Sequence, residues 1–405
     1  MDSLVNSLIQ DGKIRYQSGN FFTFGFPNNM LTLTTATVFF NILGVKYGNG
    51  AKEIIKSIGK IQAKAMMKAW FEKFEVSNHS LSIISSYLEI YCYGSIRIAS
   101  VNQKQKEVVF EVKNSPVCRM HLKLFGYENS RVNYFMEGIC SGIAEAIIGC
   151  NMDSEETSCI LSHKQVCCIV ARKSSSKKKD FVIGKGYDLF SEKFRPKSLP
   201  EISSELVKKV EGHNMIEWDN GMFTIWKVGA FTMPSATFAL IINELRKKFG
   251  SEVDYIMYHL ARVQSREAVN LQIRTYGFKK DKNLMMSLLE HMQLTGYGIG
   301  TPIELDIKKK KAKVKGTYNP IPFFYSRFFG NDDENADYYI LGLIAGMCEC
   351  FFEDSVNAVE TKCSLKNGEC CIYEVKRAGK EDFYKIDKKT MKIIEEKINP
   401  KNFVI

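Results

Sequence analysis

The sequence contains no hydrophobic run long enough to cross a membrane. A membrane helix needs roughly 18 consecutive apolar residues, and the longest candidates, residues 135–149 and 340–352, are shorter and contain glutamate. Residues 1–16 lack the basic start and the uninterrupted apolar core of a signal peptide. We therefore expect a cytoplasmic protein with no membrane partner.

Motifs that identify common enzymes are also missing. There is no P-loop, no G-x-G-x-x-G that opens a helix after a strand, and no G-x-S-x-G nucleophile turn. The 6 histidines occur singly, without H-x-x-x-H or H-E-x-x-H spacing, and we expect His163 to be a solvated turn residue. These absences favour a non-catalytic protein, and no catalytic residue is assigned.

The charge and the cysteine content are each open to more than one interpretation. The formal net charge is +11, but the densest basic runs, residues 177–180 and 308–315, are typical of a solvated surface or a guarded sheet edge. Nucleic acid, which binds through clustered basic side chains, is therefore not an expected partner. In a reducing compartment, the 12 cysteines indicate metal binding, redox chemistry or core packing rather than disulfides.

An internal repeat organises the chain. With an offset of 202 residues, NILGVKYG (41–48) matches NELRKKFG (243–250), and with an offset of 204, YFMEGICSGIAEAIIG (134–149) matches YYILGLIAGMCECFFE (338–353). Such self-similarity predicts two copies of one structural unit. We divide the chain into a first domain (1–172), a connector rich in Ser, Lys and Pro (173–200), a second domain (201–377) and a charged helical tail (378–405).

Within each copy, the hydrophobic pattern predicts helices, then strands, then a helix, then a hairpin. Residues 51–74 carry apolar side chains at helical spacing, and residues 95–100, 106–116, 302–307 and 311–316 alternate or are β-branched, as in strands. Glycines four residues apart in the helix at 134–149 would allow close approach of a neighbouring helix. The fold class that this order favours is α+β.

Each copy ends in a cysteine-bearing hairpin. ETSCILSHKQVCCIVAR (156–172) and ETKCSLKNGECCIYEV (360–375) each show an alternating run, a polar turn and a second alternating run. The Asn-Gly pair in the second turn is a strong local hairpin signal.

The glycine-containing apolar helix, the following E-T-x-C and the Cys that opens an alternating strand resemble the 4-vinyl reductase domain, here in tandem. The resemblance covers most of residues 20–377. It implies an antiparallel sheet packed with helices around a hydrophobic pocket, similar to small subunits of the TRAPP trafficking complex and to phenol-sensing domains. Other members are described as hydrocarbon-binding or are tied to vinyl reduction.

The same resemblance implies a zinc site in each copy. The positions that match the phenol sensors' ligands are Glu156, Cys159 and Cys167 in the first copy, and Glu360, Cys363 and Cys370 in the second. At the position of the sensors' remaining Cys ligand, Tyr134 and Tyr338 stand here, and tyrosine is a poor replacement for a thiolate in a closed zinc site.

Alternative roles for these cysteines stay open. They are zinc ligands, with a helper such as Cys140 completing the first site, or buried small hydrophobes, or groups used in redox or acyl-thioester chemistry. We expect Cys168 and Cys371 to face away from any metal, because neighbouring strand residues point to opposite faces.

The function that follows is a non-catalytic sensor or adaptor. Each domain is expected to bind a small hydrophobic or aromatic ligand, the two domains pack as a pseudo-dimer, and a protein partner carries any output. One alternative is a tetrapyrrole vinyl reductase or its accessory factor, and a second is a TRAPP-like structural scaffold.

Overall fold

A computed structural model of the chain describes the following residues: 14–17, 20–23, 26–73, 84–85, 88, 91, 93–127, 132–164, 166–175, 216–219, 222–225, 228–330, 337–364, 370–379 and 384–403. Most of the predicted connector, from residue 176 onward, lies outside these ranges, as does the Asn-Gly turn of the second hairpin.

The first half begins with a short meander and a long helix. Its elements in chain order are β1 (Ile14–Gln17), β2 (Asn20–Thr23), β3 (Phe26–Thr32), α1 (Leu33–Lys73), β4 (Ser95–Asn102), β5 (Glu107–Lys113), α2 (Pro116–Phe125), α3 (Tyr134–Ile148), β6 (Met152–Ser158) and β7 (Cys167–Lys173).

The second half repeats this order, with an additional described helix before its hairpins. Its elements are β8 (Ile216–Asp219), β9 (Met222–Ile225), β10 (Val228–Pro234), α4 (Ser235–Phe249), α5 (Glu252–Tyr276), α6 (Lys282–Leu294), β11 (Ile299–Asp306), β12 (Lys311–Thr317), α7 (Pro320–Phe329), α8 (Tyr338–Phe352), β13 (Val356–Lys362) and β14 (Cys371–Arg377), followed by α9 (Lys388–Lys397) of the tail.

The predicted fold class is confirmed: antiparallel sheets pack against helices in two similar halves. Each half contains a four-stranded sheet of the same order, β4-β5-β7-β6 in the first and β11-β12-β14-β13 in the second. Each half has a helix break at an equivalent glycine: Gly48, with φ 60°, lies within α1, and Gly250, with φ 81°, lies between α4 and α5. Glycine adopts positive φ without steric cost, which explains this residue at both breaks.

Glycines also set the distance between the two helices that cover each sheet. A Cβ added to Gly138 of α3 would lie 2.0 Å from the carbonyl oxygen of Lys56 in α1. A Cβ on Gly342 of α8 would lie 2.2 Å from the carbonyl oxygen of Tyr258 in α5. The predicted packing role of these glycines is therefore confirmed, because any larger residue would push the helices apart.

A third sheet joins the halves. Its order is β1-β2-β3-β10-β9-β8, so that β3 of the first half pairs antiparallel with β10 of the second, and Met30 faces Thr232 at the centre. Cross-half hydrogen bonds extend this junction: the Met30 amide donates to the Thr295 carbonyl at 2.9 Å, and the Tyr297 hydroxyl donates to the Met30 carbonyl at 3.0 Å. The two halves thus share one continuous sheet.

The tail contacts both halves. Asp387 caps α9 by accepting a hydrogen bond from the Thr390 amide at 2.8 Å. Lys397 donates to the Leu124 carbonyl at the end of α2 at 2.7 Å, and the carbonyl of Phe403 accepts from the Gly229 amide of β10 at 3.3 Å. None of the helices in the described ranges has the length and apolar character needed to cross a membrane.

Candidate metal centre and neighbouring cavities

Four side chains from three elements meet in the first half. Cys118 lies in the first turn of α2, which Ser115 caps and Pro116 opens. Glu156 projects from β6, Cys159 follows the end of that strand, and Cys167 opens β7. The two strands pair so that the glutamate and both hairpin thiols reach the N-terminus of α2. We call these four residues the first cluster.

The separations within the first cluster fit a tetrahedral metal ion. The Sγ atoms of Cys118 and Cys159 lie 3.5 Å apart, those of Cys159 and Cys167 3.4 Å, and those of Cys118 and Cys167 3.9 Å. Zinc bound at about 2.3 Å to each sulfur would place the sulfurs about 3.8 Å apart. One carboxylate oxygen of Glu156 lies within 4.8 Å of all three.

The electrostatics of the first cluster also favour a cation. Burial raises the pKa of Glu156 to about 8, although Asn133 donates a 2.6 Å hydrogen bond to its Oε1. Hydrogen bonds from Cys118 and Cys167 lower the pKa of Cys159, whereas burial raises the pKa of Cys118. A divalent cation would stabilise the ionised forms of these buried groups together, because metal ligands bind in their deprotonated state. The four residues therefore fit zinc.

The equivalent group in the second half contains Glu360, Cys363 and Cys371, whose ligand atoms all lie within 4.8 Å of one another. We call these three residues the second cluster. Cys371, which we expected to face away, lies in the cluster, and Cys370, which we predicted as a ligand, does not. Burial raises the pKa of Glu360 to about 10.

The exchange of Cys370 for Cys371 has a simple cause. Cys371 pairs with Gly316 in the sheet and Cys167 pairs with Val112, and both partners are related by the offset of 204. Each hairpin contains two adjacent cysteines, and the first of the pair in the first copy, Cys167, is equivalent to the second of the pair in the second copy, Cys371. A slip of one residue moves a side chain to the opposite face of the strand.

Cys118 was missed in the sequence. The Ser-Pro pair before it indicates a helix start, but the corresponding residue of the second copy is Pro322, so the repeat did not mark the position. Cys140, the helper considered from the sequence, is buried in α3 and is not part of the first cluster.

Tyr134 and Tyr338, which stand where the phenol sensors have a Cys ligand, contact side chains outside the two clusters. The Lys52 Nζ lies 4.8 Å from the ring centroid of Tyr134. Tyr338 packs edge-on against Tyr384, with ring centroids 5.6 Å apart. His163 stacks on Tyr127 at 4.1 Å, as suits a turn residue.

An apolar cavity borders each cluster. In the first half, a cavity of about 20 Å³ lies among the rings of Phe40, Tyr93, Phe135 and Phe231. Asn133, which holds Glu156, also lines it. Phe231 belongs to β10, so the second half completes the first half's cavity.

The second cavity, of about 10 Å³, is bounded by Leu289, Met292, Ile344 and Tyr373. Both cavities are closed around at most one water-sized space, whereas a cavity of about 150 Å³ binds benzene.

A larger open cleft of about 590 Å³ lies between α1, α3 and the sheet of the first half. Its lining mixes both signs of charge, and Lys56 at its wall pairs with Asp153 at 2.8 Å and with Glu137 at 3.4 Å. Lys56 and its two acidic partners therefore neutralise one another within the wall.

No family model matches the sequence, and comparison with curated proteins finds no match. Solved structures with a similar fold include the phenol-responsive sensory domain of the transcription activator PoxR with phenol, at 14% identity and a TM-score of 0.36, covering 43% of this chain and 91% of that one. They also include trafficking protein particle complex subunit 3 from Naegleria fowleri covalently bound to palmitic acid, at 12% identity and a TM-score of 0.27, covering 36% of this chain and 98% of that one. At these values, neither likeness by itself indicates a function.

Proposed function

We propose that the chain is a non-catalytic sensor or adaptor built from two 4-vinyl reductase-like halves. Each half binds a small hydrophobic or aromatic molecule in the cavity beside its cluster, and a protein partner receives the resulting change. Cys118, Glu156, Cys159 and Cys167 would hold zinc, which supplies a structural cross-link when bound, because four protein ligands close the site.

The observation that supports this proposal is the shared wall between cavity and cluster in both halves. Asn133 lines the first cavity and donates to Glu156. Tyr373 lines the second cavity and pairs with Glu360 across the hairpin. A molecule bound in the first cavity would therefore contact a residue that bonds to the hairpin, and one in the second cavity would contact the hairpin itself. Ring-to-ring packing at 5.6–6.4 Å around the first cavity suits an aromatic guest.

The small volume of both cavities favours a second candidate, a structural scaffold that uses the fold without a ligand. A cavity of about 20 Å³ must enlarge several-fold before it can hold a benzene-sized ring. In the sensor, the free energy of binding drives that enlargement. In the scaffold, the aromatic side chains fill the site permanently.

Native mass spectrometry of the purified protein, with and without added phenol, indole or a medium-chain fatty acid, separates the two candidates. The sensor should carry two equivalents of ligand, and at a hundred times the dissociation constant each bound ligand should stabilise the fold by about 2.7 kcal/mol.

Val117→Phe, which fills the first cavity, should reduce the stoichiometry to one, and the unaltered second cavity serves as the internal control. Protein that stays empty with every compound and shows no thermal shift would favour the scaffold instead.

A further inference from the structure

The connector between the halves contains a counterpart of the tail. At the offset of 204 that relates the two hairpins, YDLFSEKFRPKSL (187–199) matches MKIIEEKINPKNF (391–403) without a gap. We call residues 187–199 the connector segment and residues 391–403 the tail segment. They are identical at Glu192/Glu396, Lys193/Lys397, Pro196/Pro400 and Lys197/Lys401. The repeat therefore extends beyond each hairpin.

The connector segment also keeps the hydrophobic pattern of the tail segment. Ile394, Ile398 and Phe403 of the tail segment are buried, each at most 1% exposed. The connector segment has an apolar aromatic or aliphatic residue at each of these positions: Phe190, Phe194 and Leu199. Burial of such side chains is the main source of stability for a docked segment. The connector segment thus has the side chains that docking requires.

The tail segment docks on the half that it does not follow. Although it comes after the second half, Lys397 donates to the Leu124 carbonyl at the end of α2 at 2.7 Å, and its Nζ lies 5.1 Å from the ring centroid of Phe125. The Asn402 carbonyl accepts from the Thr34 hydroxyl at the start of α1 at 2.9 Å. A lysine is favourable at a helix C-terminus, because the last carbonyls lack amide partners within the helix.

The second half has the same kind of surface at the end of α7. Helices α2 and α7 are each 10 residues long, begin with proline after a capping side chain and end before a glycine of positive φ, 81° after α2 and 87° after α7. The last two residues of α7, Phe328 and Phe329, stand where α2 has Leu124 and Phe125. Both phenylalanines are half-buried. The end of α7 therefore combines helix-terminal carbonyls with aromatic rings, as the end of α2 does.

The two halves are arranged so that this contact can be reciprocal. Residues that are equivalent at the offset of 202 face each other: Met30 pairs with Thr232, and the ring of Tyr47 stacks on that of Phe249 with centroids 4.3 Å apart. In a twofold interface, a residue meets its own counterpart at the axis. Strands β7 and β14 end at equivalent positions, so both segments start at the same distance along the chain from the preceding strand.

We propose that the connector segment docks across the C-terminal end of α7, as the tail segment docks across the end of α2. In this arrangement Lys193 donates to the Phe328 carbonyl with its Nζ over the Phe329 ring, and Phe190 and Phe194 are buried. Each half is then held by the segment that follows the other half. This link is separate from the sheet that joins the halves, and it requires neither a metal nor a cavity ligand.

The proposal is confined to the connector segment. Residues 176–215 lie outside the described ranges, and the match to the tail weakens before residue 187. Asp387 caps α9 in the tail, for example, and Ile183 stands at the equivalent position.

Hydrogen exchange of the full chain, followed by mass spectrometry, tests the contact. Phe190→Asp should speed amide exchange at the end of α7 about 10-fold or more, because a charge replaces a buried ring, and should leave α2 unchanged. Ser191→Asp is the matched control, because it adds the same charge where the tail segment has the exposed Glu395. Ile394→Asp should show the converse, with faster exchange at the end of α2 alone.

Equal exchange at the end of α7 in wild type and Phe190→Asp, while Ile394→Asp accelerates α2, would overturn the proposal. If protection of α7 survives Phe190→Asp and rises with protein concentration, a second copy covers this surface instead. If α7 exchanges fast in every purified variant, the surface is left for another protein.

Limited trypsin digestion gives an independent measurement on the same variants. Cleavage after Lys193 should be at least about 10-fold slower in the wild-type chain than in a free peptide of residues 187–199, because a docked segment must open before it is cut. Phe190→Asp should remove most of this protection and Ser191→Asp should keep it. Wild-type protein that is cut as fast as the peptide would refute docking.

Discussion

Replacing Cys118 with Ser should selectively weaken metal binding in the first half. Cys118 contributes one of three sulfurs whose separations, 3.4 to 3.9 Å, match the edges of a zinc tetrahedron. Serine has nearly the same size, so α2 should keep its place, but its hydroxyl is a much poorer zinc ligand than a thiolate. The substitution therefore tests the chemistry of the site with little change in packing.

The size of the effect can be bounded from general values. Removing even an outer partner of a metal site costs about 10- to 100-fold in affinity, so loss of a direct ligand should cost at least about 100-fold. At a fixed excess of free zinc, a 100-fold weaker site lowers the free energy of unfolding by about 2.7 kcal/mol. For a half of this size, such a loss corresponds to a fall in melting temperature of very roughly 5–10 °C.

The assay is zinc competition with a chromophoric chelator, combined with thermal unfolding at buffered free zinc. Cys140→Ser is the matched control, because Cys140 is fully buried but lies outside the first cluster. We expect Cys118→Ser to lose affinity and zinc-dependent stability, and Cys140→Ser to keep the affinity. Equal zinc affinity in wild type and Cys118→Ser, with Cys159→Ser impaired, would show that α2 does not ligate the metal.

Two further predictions concern the scaffold. Gly142→Ala should destabilise the protein by about 1–3 kcal/mol, because the new Cβ would lie 2.4 Å from the Lys60 carbonyl oxygen. Gly44→Ala, whose Cβ would meet only the end of Lys52 at 3.4 Å, should stabilise it by up to about 1 kcal/mol through helix propensity. Urea midpoints that move in the same direction for both variants would contradict this.

Burial lowers the pKa of His291 from 6.5 to about 4. The unfolded chain therefore binds the extra proton first, and up to about 3 kcal/mol of stability should be lost as the pH falls from about 6.5 to about 4. His291→Gln should flatten that part of the stability profile, and an unchanged slope would refute the assignment.

The duplication was the most informative feature of the sequence. Local patterns predicted the hairpins and the strands around them, because alternation and turn residues act over a few neighbouring positions. The offset between the copies also aligned Gly48 with Gly250, and in the structure both glycines have positive φ at a helix break. The glycines of α3 and α8 predicted a close contact with another helix, but they did not identify which helix makes that contact.

The strand pairing that joins the two halves could not be predicted from local sequence patterns. The pairing of β3 with β10 joins Met30 to Thr232 across about two hundred residues, and no local pattern specifies a partner at that distance. For the same reason the sequence did not identify Cys118 as a ligand. The Ser-Pro pair before it indicates a helix start, but the approach of Cys118 to Cys159 depends on how α2 packs against the hairpin. Comparison of the two copies also does not reveal a ligand that only one copy contains, because Pro322 occupies the position equivalent to Cys118.

The two halves therefore have the same backbone fold but different side chains around their clusters. Both keep the glutamate and two hairpin sulfurs, yet the first adds a thiol from α2 and a donating amide, whereas the second has Pro322 and the carboxylate of Asp337 at the equivalent positions. The tail supports the first cluster, because Lys397 bonds the last turn of α2 at Leu124, on the helix that carries Cys118. Ser115 at the start of α2 and Lys397 at its end thus both hold the helix that carries Cys118.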